Sequence, residues 1–143
     1  MTKVFIDLTD IDANTTRFID TRFNLADSKA GFDLFQDGHV EGAVYWDLEK
    51  DLSNMEDVHG RHPMISKEKM TELIQSAGLS LDDQIVIYDQ GAVPFSLRAY
   101  NISVVIGAFR WAFFNNSLLE NISCLSPLSR ISPSFKTKIF SAN

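Results

Sequence analysis

At 143 residues, 45% hydrophobic and 22% charged, the chain is sized for one ordinary globular domain with a single core. Its net charge of -6 argues against sequence-independent nucleic-acid binding, which needs a basic face to displace counterions. One cysteine excludes an internal disulfide or a cysteine-rich metal cluster, and no apolar run reaches the roughly 18 residues that span a membrane.

Met1 to Leu8 is too short and too charged for a signal peptide, so a cytoplasmic location is the expectation. Val4 to Leu8 is a short apolar strand candidate. Arg17 to Arg22 is a better one, a β-prone core ending in a polar turn. Phe32, Leu34 and Phe35 lie in a stretch that Gly38 closes, which predicts a short helix. Ala43 to Trp46 reads as a buried strand.

The clearest helix runs from Lys67 to Ala77. Met70, Leu73, Ile74 and Ala77 fall at helical spacing on one face. Ser66 suits the N-cap, Glu68 the positive end of the helix dipole and Gly78 the stop. Ile85 to Tyr88 is the strongest strand, apolar on both faces as in the middle of a parallel sheet. This strand, helix, strand order implies an α/β domain.

After Tyr100 the character changes. Residues 1–100 hold 18 acidic and 9 basic side chains, whereas residues 101–143 hold Glu120 against Arg110, Arg130, Lys136 and Lys138. Ile102 to Ile106 is a strand candidate and Phe109 to Phe114 is aromatic. From Ser117 serine and asparagine dominate without a period, as in a poorly ordered tail.

Several residues stand out chemically. In Gly38-His39-Val40-Glu41-Gly42-Ala43, two glycines permit a tight turn, and His39 can hydrogen-bond across it as a buried structural residue. Asp89 directly follows the strongest strand, where a carboxylate can form a turn and cap the next helix. Arg98 on that helix is expected to pair with an acid of the core. His59, Arg61 and His62 precede Pro63 on a loop, with His59 as plain surface. Cys124 sits in the tail with no glycine-rich loop or flanking base, so an ordinary thiol is the expectation. The histidines and the single cysteine lack metal-ligand spacing, so no metal is expected. No phosphate-loop or dinucleotide glycine pattern is present, and no cofactor is expected.

In order, these motifs carry a resemblance. Gly38 to Ala43 is similar to the G-H-I-P-G-A signature of rhodanese-like domains, with Glu41 in place of proline. Phe18 to Arg22 is similar to the opening L-D-A-R strand of that family. Asp47 to Ser53 resembles the acidic segment after the signature, Gly60 to Met64 a G-R-H-P-L motif, and Ile85 to Asp89 a V-V-Y-D motif followed by Phe95 to Tyr100. The chain thus resembles the rhodanese and mercaptopyruvate sulfurtransferase family over residues 17–100. The resemblance implies a three-layer α/β domain, a mostly parallel sheet with helices on both faces. It implies transfer of sulfane sulfur from 3-mercaptopyruvate or thiosulfate to a thiol or cyanide.

In active domains of that family a cysteine follows the V-V-Y strand. Two-domain members carry aspartate there in the N-terminal domain and cysteine in the C-terminal one. Asp89 therefore implies a nucleophile-free N-terminal half whose partner is the missing C-terminal rhodanese domain. The resemblance also makes His62 and Glu49 assisting residues that reach across the domain cleft, His62 as a proton carrier. Gly38, His39, Gly42, Ala43 and Arg98 are its structural signature.

The resemblance stops near Tyr100. The aromatic, leucine-rich helix and the L-D-G-G motif that follow in the family are missing. At least one set of codons for Asn101 to Phe113, read one base later, spells I-S-V-W-L-L-E-H-F-G-G-H, which resembles the missing helix and turn. The expected organisation is thus a rhodanese-like domain over 1–100 and a divergent, truncated or frameshifted tail over 101–143, leaving the sheet without its last native strand. One alternative is a non-catalytic rhodanese-homology module that binds or regulates a partner. A cell-cycle-type phosphatase, which shares the fold, ranks far behind because it needs a cysteine and an arginine in the loop after residue 89.

Overall fold

The computed structural model describes residues 11–12, 14–80, 83–90, 95–105 and 110–114. Strands β1 (Thr16–Asp20), β2 (Val44–Tyr45), β3 (Gln84–Tyr88) and β4 (Arg110–Phe114) alternate with helices α1 (Ala30–Asp37), α2 (Lys67–Ser76) and α3 (Phe95–Val105). The strands form one sheet in the order β2-β1-β3-β4, and every described pairing is parallel. Parallel neighbours cannot be joined by a hairpin, and a helix lies in each connection.

Alternation along the central strands separates the two faces. Ile19 of β1 and Ile85 and Ile87 of β3 are fully buried, in a core completed by Met70 and Ile74 of α2 and Ala99 of α3. Phe18, Asp20, Val86 and Tyr88 occupy the alternate positions, also buried. There the Val40 N–H donates to the Tyr88 hydroxyl at 3.3 Å, which places the end of the α1 segment on that face. Helices on both faces of a parallel sheet agree with the rhodanese-like α/β architecture expected.

The predicted helix at 67–77 forms as α2, with the Ser66 hydroxyl accepting from Lys69 N at 3.2 Å and Gly78 at φ 67° beyond its end. Helix α1 ends at Gly38, as predicted, and its buried Gly31 lies so close to the Arg22 carbonyl and the Tyr45 hydroxyl that a Cβ would collide with both.

One expectation is corrected. Ile102 to Val105, expected as the start of a strand, is helix, because α3 runs on to Val105, and Ile106 lies outside the described residues. A helix already nucleated at Phe95 adds one bond per residue, which carries it through β-branched side chains that prefer a strand. The last described strand comes later, as β4, which aligns Gln84 to Tyr88 with Arg110 to Phe114. The sheet thus has a fourth strand within the segment expected to be divergent. The strand candidate at Val4 to Leu8, Cys124 and the tail from 115 onward lie outside the described residues.

Candidate functional site

The strand order reverses between β1 and β3, since the chain leaves β1 on one side to make β2 and returns on the other as β3. Beyond the carboxyl ends of such neighbouring strands, the connections diverge and open a crevice. Here those ends are Asp20-Thr21 and Tyr88-Asp89. They are stitched together by the Tyr88 carbonyl, which accepts from Thr21 N at 2.9 Å and from the Thr21 hydroxyl at 3.1 Å. One residue on, the Gln90 side chain accepts from Phe23 N at 3.2 Å and donates back to the Phe23 carbonyl.

Asp89 is 4% exposed at this switch point. Its Oδ2 accepts from Ser96 N at 2.9 Å, so the carboxylate caps the first turn of α3 and sits at the positive end of the helix. The capping role expected from sequence is what the geometry holds.

Asp20 and Arg22, both within the L-D-A-R-like motif, form a buried ion pair. Arg22 Nε lies 3.1 and 3.0 Å from the two Asp20 carboxylate oxygens and Nη2 lies 2.7 Å from Oδ2. The same Nη2 donates to the carbonyls of Leu34 at 3.2 Å and Gly38 at 2.7 Å. The opening strand and the glycine signature are therefore one hydrogen-bonded unit. Gly42 adopts φ 75°, the left-handed region that favours glycine, and Ala43 N donates to the Val40 carbonyl at 2.8 Å to close the turn. His39 is half-buried, not buried as expected. Its ring stacks on Phe35 at 3.9 Å, and Nδ1 lies 2.7 Å from the Phe35 carbonyl. That oxygen can only accept, so Nδ1 carries the proton. The histidine closes the last turn of α1 and takes no part in the crevice.

The acidic segment folds onto itself. Buried Asp47 accepts through Oδ1 from Glu49 N at 2.8 Å and Lys50 N at 3.0 Å, while Asp51 Oδ2 accepts from Asp47 N at 2.7 Å. These bonds hold the backbone that presents Glu49. Burial draws the Asp51 carboxyl above its usual range. Across from it, His62 Nε2 lies 3.5 Å from Glu49 Oε1, with the two side chains 15% and 35% exposed. The two assisting candidates are therefore brought together, although nothing in their sequence spacing required it.

Arg98 does not pair with an acid, which corrects the sequence expectation. Its Nε donates to the Leu52 carbonyl at 3.1 Å, and its Nη2 to the carbonyls of His62 at 2.6 Å and Pro63 at 3.0 Å. Among the described residues no carboxylate lies within ion-pair distance of it. A carbonyl oxygen has two lone pairs, so backbone carbonyls can satisfy a guanidinium's donors even where, as at Pro63, one already accepts from Asn54 N. Burial lowers its pKa from the ordinary arginine value.

A cavity of about 390 Å³ opens beside these groups. Leu25, Leu48, Met64 and Leu97 give it an apolar lining, with His62 and Arg98 on its wall. Leu25, Met64 and Leu97 are about half exposed, so one side is an apolar rim with a titratable imidazole at its edge. His59 is exposed and paired with Asp57 at 2.6 Å, outside this cavity, as its reading as surface implied. The histidine's backbone N–H, followed by its side chain, holds the Asp57 carboxyl below the usual range. Among the described residues no group of His, Cys, Asp and Glu is arranged to hold a metal ion, and no helix is long and apolar enough to cross a membrane.

Three features escaped the sequence reading: the Asp20–Arg22 ion pair, the Gln90–Phe23 exchange and the carbonyl partners of Arg98. Only the first left a trace, as opposite charges two positions apart at the end of a strand.

No protein-family model matches the chain. A probable 3-mercaptopyruvate sulfurtransferase of Pseudomonas aeruginosa is 39% identical over 84 residues, which is 57% of this chain and 30% of that protein. A putative thiosulfate sulfurtransferase, SseB, of Mycobacterium tuberculosis is 31% identical over 90 residues, covering 62% of this chain and 31% of that protein. The chain thus spans about a third of the length of the curated relatives it matches. Among solved structures, the 3-mercaptopyruvate sulfurtransferase of Leishmania major superposes with a TM-score of 0.71 at 20% identity, over 78% of this chain and 32% of that one. The sulfur transferase subunit of yeast mitochondrial complex I superposes with a TM-score of 0.61 at 22% identity, over 82% and 38%. At these identities the structural likeness establishes the fold.

Proposed function

We propose, for a chain that belongs to the rhodanese and 3-mercaptopyruvate sulfurtransferase family, that its domain is the nucleophile-free N-terminal half of a two-domain sulfurtransferase. The observation that carries this reading is Asp89, buried at the switch point and engaged as a helix cap in the position where the family's active domains hold cysteine. A carboxylate there cannot accept sulfane sulfur and hold it as a persulfide.

In the whole enzyme the cysteine of a second, C-terminal rhodanese domain does the covalent work. With 3-mercaptopyruvate as donor, its thiolate attacks the donor sulfur. The new S–S bond forms as the C–S bond breaks, and the electron pair leaves on the enolate of pyruvate. The enolate carbon then takes up a proton. A thiol or cyanide removes the sulfur and regenerates the thiolate. His62, on an apolar cavity wall and 3.5 Å from Glu49, is suited to carry that proton at the edge of the cleft. This pair favours 3-mercaptopyruvate over thiosulfate as donor, and the cytoplasm is the proposed compartment.

Residues 101–143 are proposed to be a divergent segment following a rhodanese-like domain over 1–100, read out of frame relative to the family. The loss of the family's motifs after Tyr100 and the change there from an acidic to a basic balance support this.

Assays of the purified chain with 3-mercaptopyruvate and with thiosulfate are expected to give no turnover. The encoding DNA is expected to continue, one base later, into a second rhodanese domain with its cysteine. Turnover by the chain alone that vanishes in a Cys124→Ser variant would overturn this reading.

A further inference from the structure

We infer that Arg98 is the positioning residue of the His62–Glu49 pair, a side chain that clamps both segments presenting it; the functional meaning of this rests on the proposed use of that pair in sulfur transfer. Glu49 stands on the turn that Asp47 begins and Leu52 ends, since Leu52 N donates to the Asp47 carbonyl at 3.0 Å. His62 stands on the far arm of the same excursion, where Asn54 N donates to the Pro63 carbonyl at 2.9 Å and Ser53 bridges Met64. Neither arm belongs to the sheet, and the described residues give each few backbone bonds to anything else.

Arg98 comes from α3, whose start is held by Asp89 and whose Ala99 is fully buried in the core. From that anchored helix its Nε reaches the end of the Glu49 turn, at the Leu52 carbonyl, and its Nη2 reaches the carbonyls of His62 and Pro63. A planar guanidinium presents its donors as a rigid fork, so gripping one arm fixes the other. The ammonium of lysine is a single point and cannot hold both arms in one geometry. Arg98 makes no hydrogen bond or ion pair with the imidazole or the carboxylate; it acts by setting where their backbones stand. Asp89, α3, Arg98 and His62 thereby form one mechanical chain from the switch point to the cavity wall.

The pair itself supplies the readout. A carboxylate facing Nε2 can only accept, so a held pair keeps the proton of neutral His62 on Nε2. The test is the ring ¹⁵N spectrum of His62 in the purified chain, in mildly alkaline buffer, for wild type, Arg98→Lys and Arg98→Gln. Ser66→Ala serves as a variant that loses a helix cap remote from the pair. The expected order is a clear Nε2–H tautomer in wild type, a partial shift in Arg98→Lys and a mixture of tautomers in Arg98→Gln, with Ser66→Ala like wild type. Backbone amide spectra report folding in the same samples. If Arg98→Gln does not fold, Arg98→Lys decides alone, by the same partial shift. Ring signals unmoved in every folded Arg98 variant, or moved equally by Ser66→Ala, would refute the positioning role. The measurement needs no sulfur donor and no second domain, so it stands apart from success or failure of the sulfurtransferase reading.

Discussion

His62 Nε2 lies 3.5 Å from Glu49 Oε1, across 13 residues of chain, on the wall of an apolar cavity. The contact is long and partly exposed, so it adds little to folding. It matters because it sets an acceptor against Nε2 of a mostly buried imidazole. In a two-domain enzyme assembled with the cysteine domain, His62→Ala is expected to lower turnover with 3-mercaptopyruvate by roughly 10²-fold, the lower end for a positioned acid or base. Glu49→Gln should cost less than His62→Ala, and neither should change the urea midpoint of the chain by more than about 1 kcal/mol of stability. Steady-state kinetics with each donor check the first claim, and unfolding curves the second. Equal turnover in wild type and His62→Ala would remove the histidine from the mechanism.

Asp89 is expected to behave as a cap. Asp89→Ala leaves Ser96 N without its acceptor, at about 1 kcal/mol for a lost N-cap, whereas Asp89→Asn keeps an oxygen in place and should lose only part of that. Urea unfolding followed by circular dichroism measures both. A more stable Asp89→Ala would show that the carboxylate is held there at the expense of the fold.

Breaking the Asp20–Arg22 pair should be the most damaging of these changes. Both groups are buried, and Asp20→Ala would leave the Arg22 charge uncompensated beside the Leu34 and Gly38 carbonyls. Losing one partner of such a pair costs about 3–5 kcal/mol. That is a large share of the roughly 5–15 kcal/mol that holds a domain together. Thermal melts should show Asp20→Ala largely unfolded near room temperature, and a melt within a few degrees of wild type would contradict the coupling of strand and signature.

Asp51 sets a pH dependence of known sign. Burial raises its folded-state pKa above the ordinary aspartate value of 3.8, so the folded state binds this proton more tightly than the unfolded chain does. The ionised group therefore works against folding once pH rises through the folded-state value, and the penalty disappears below 3.8. Asp51→Asn retains an oxygen to accept from Asp47 N and should be at least as stable as wild type at neutral pH. The difference between the two should shrink on acidification. Unfolding curves collected from neutral to acidic pH would show the two lines converging, and lines that diverge instead would reverse the assignment.

Much of the fold was legible in the residues. The face of Met70, Leu73, Ile74 and Ala77 announced α2 through its period, and the double-sided apolar run at Ile85 to Tyr88 announced a central parallel strand. Both signals are local, because a side chain's place on a helix or strand follows from its number along the chain. The motif order from Phe18 to Tyr100 carried the resemblance to sulfurtransferases for the same reason, and Asp89 at the end of β3 was enough to expect a cap in place of a nucleophile.

Tertiary structure alone decided which groups meet. Glu49 and His62 approach because two irregular arms fold back together. Arg98 turned from an expected carboxylate partner to backbone carbonyls because those arms bring the Leu52, His62 and Pro63 carbonyls within reach of α3. Asp20 and Arg22 reached the glycine signature because a buried guanidinium must satisfy its donors wherever acceptors lie. The course of α3 past Tyr100 and the pairing of β4 were likewise outside local reach, since a helix already started and a sheet edge awaiting a partner can override the preference of a β-branched run. Periodicity reports what each residue does for its own element, while contacts between distant segments depend on how the whole chain closes, and that is where the candidate site resides.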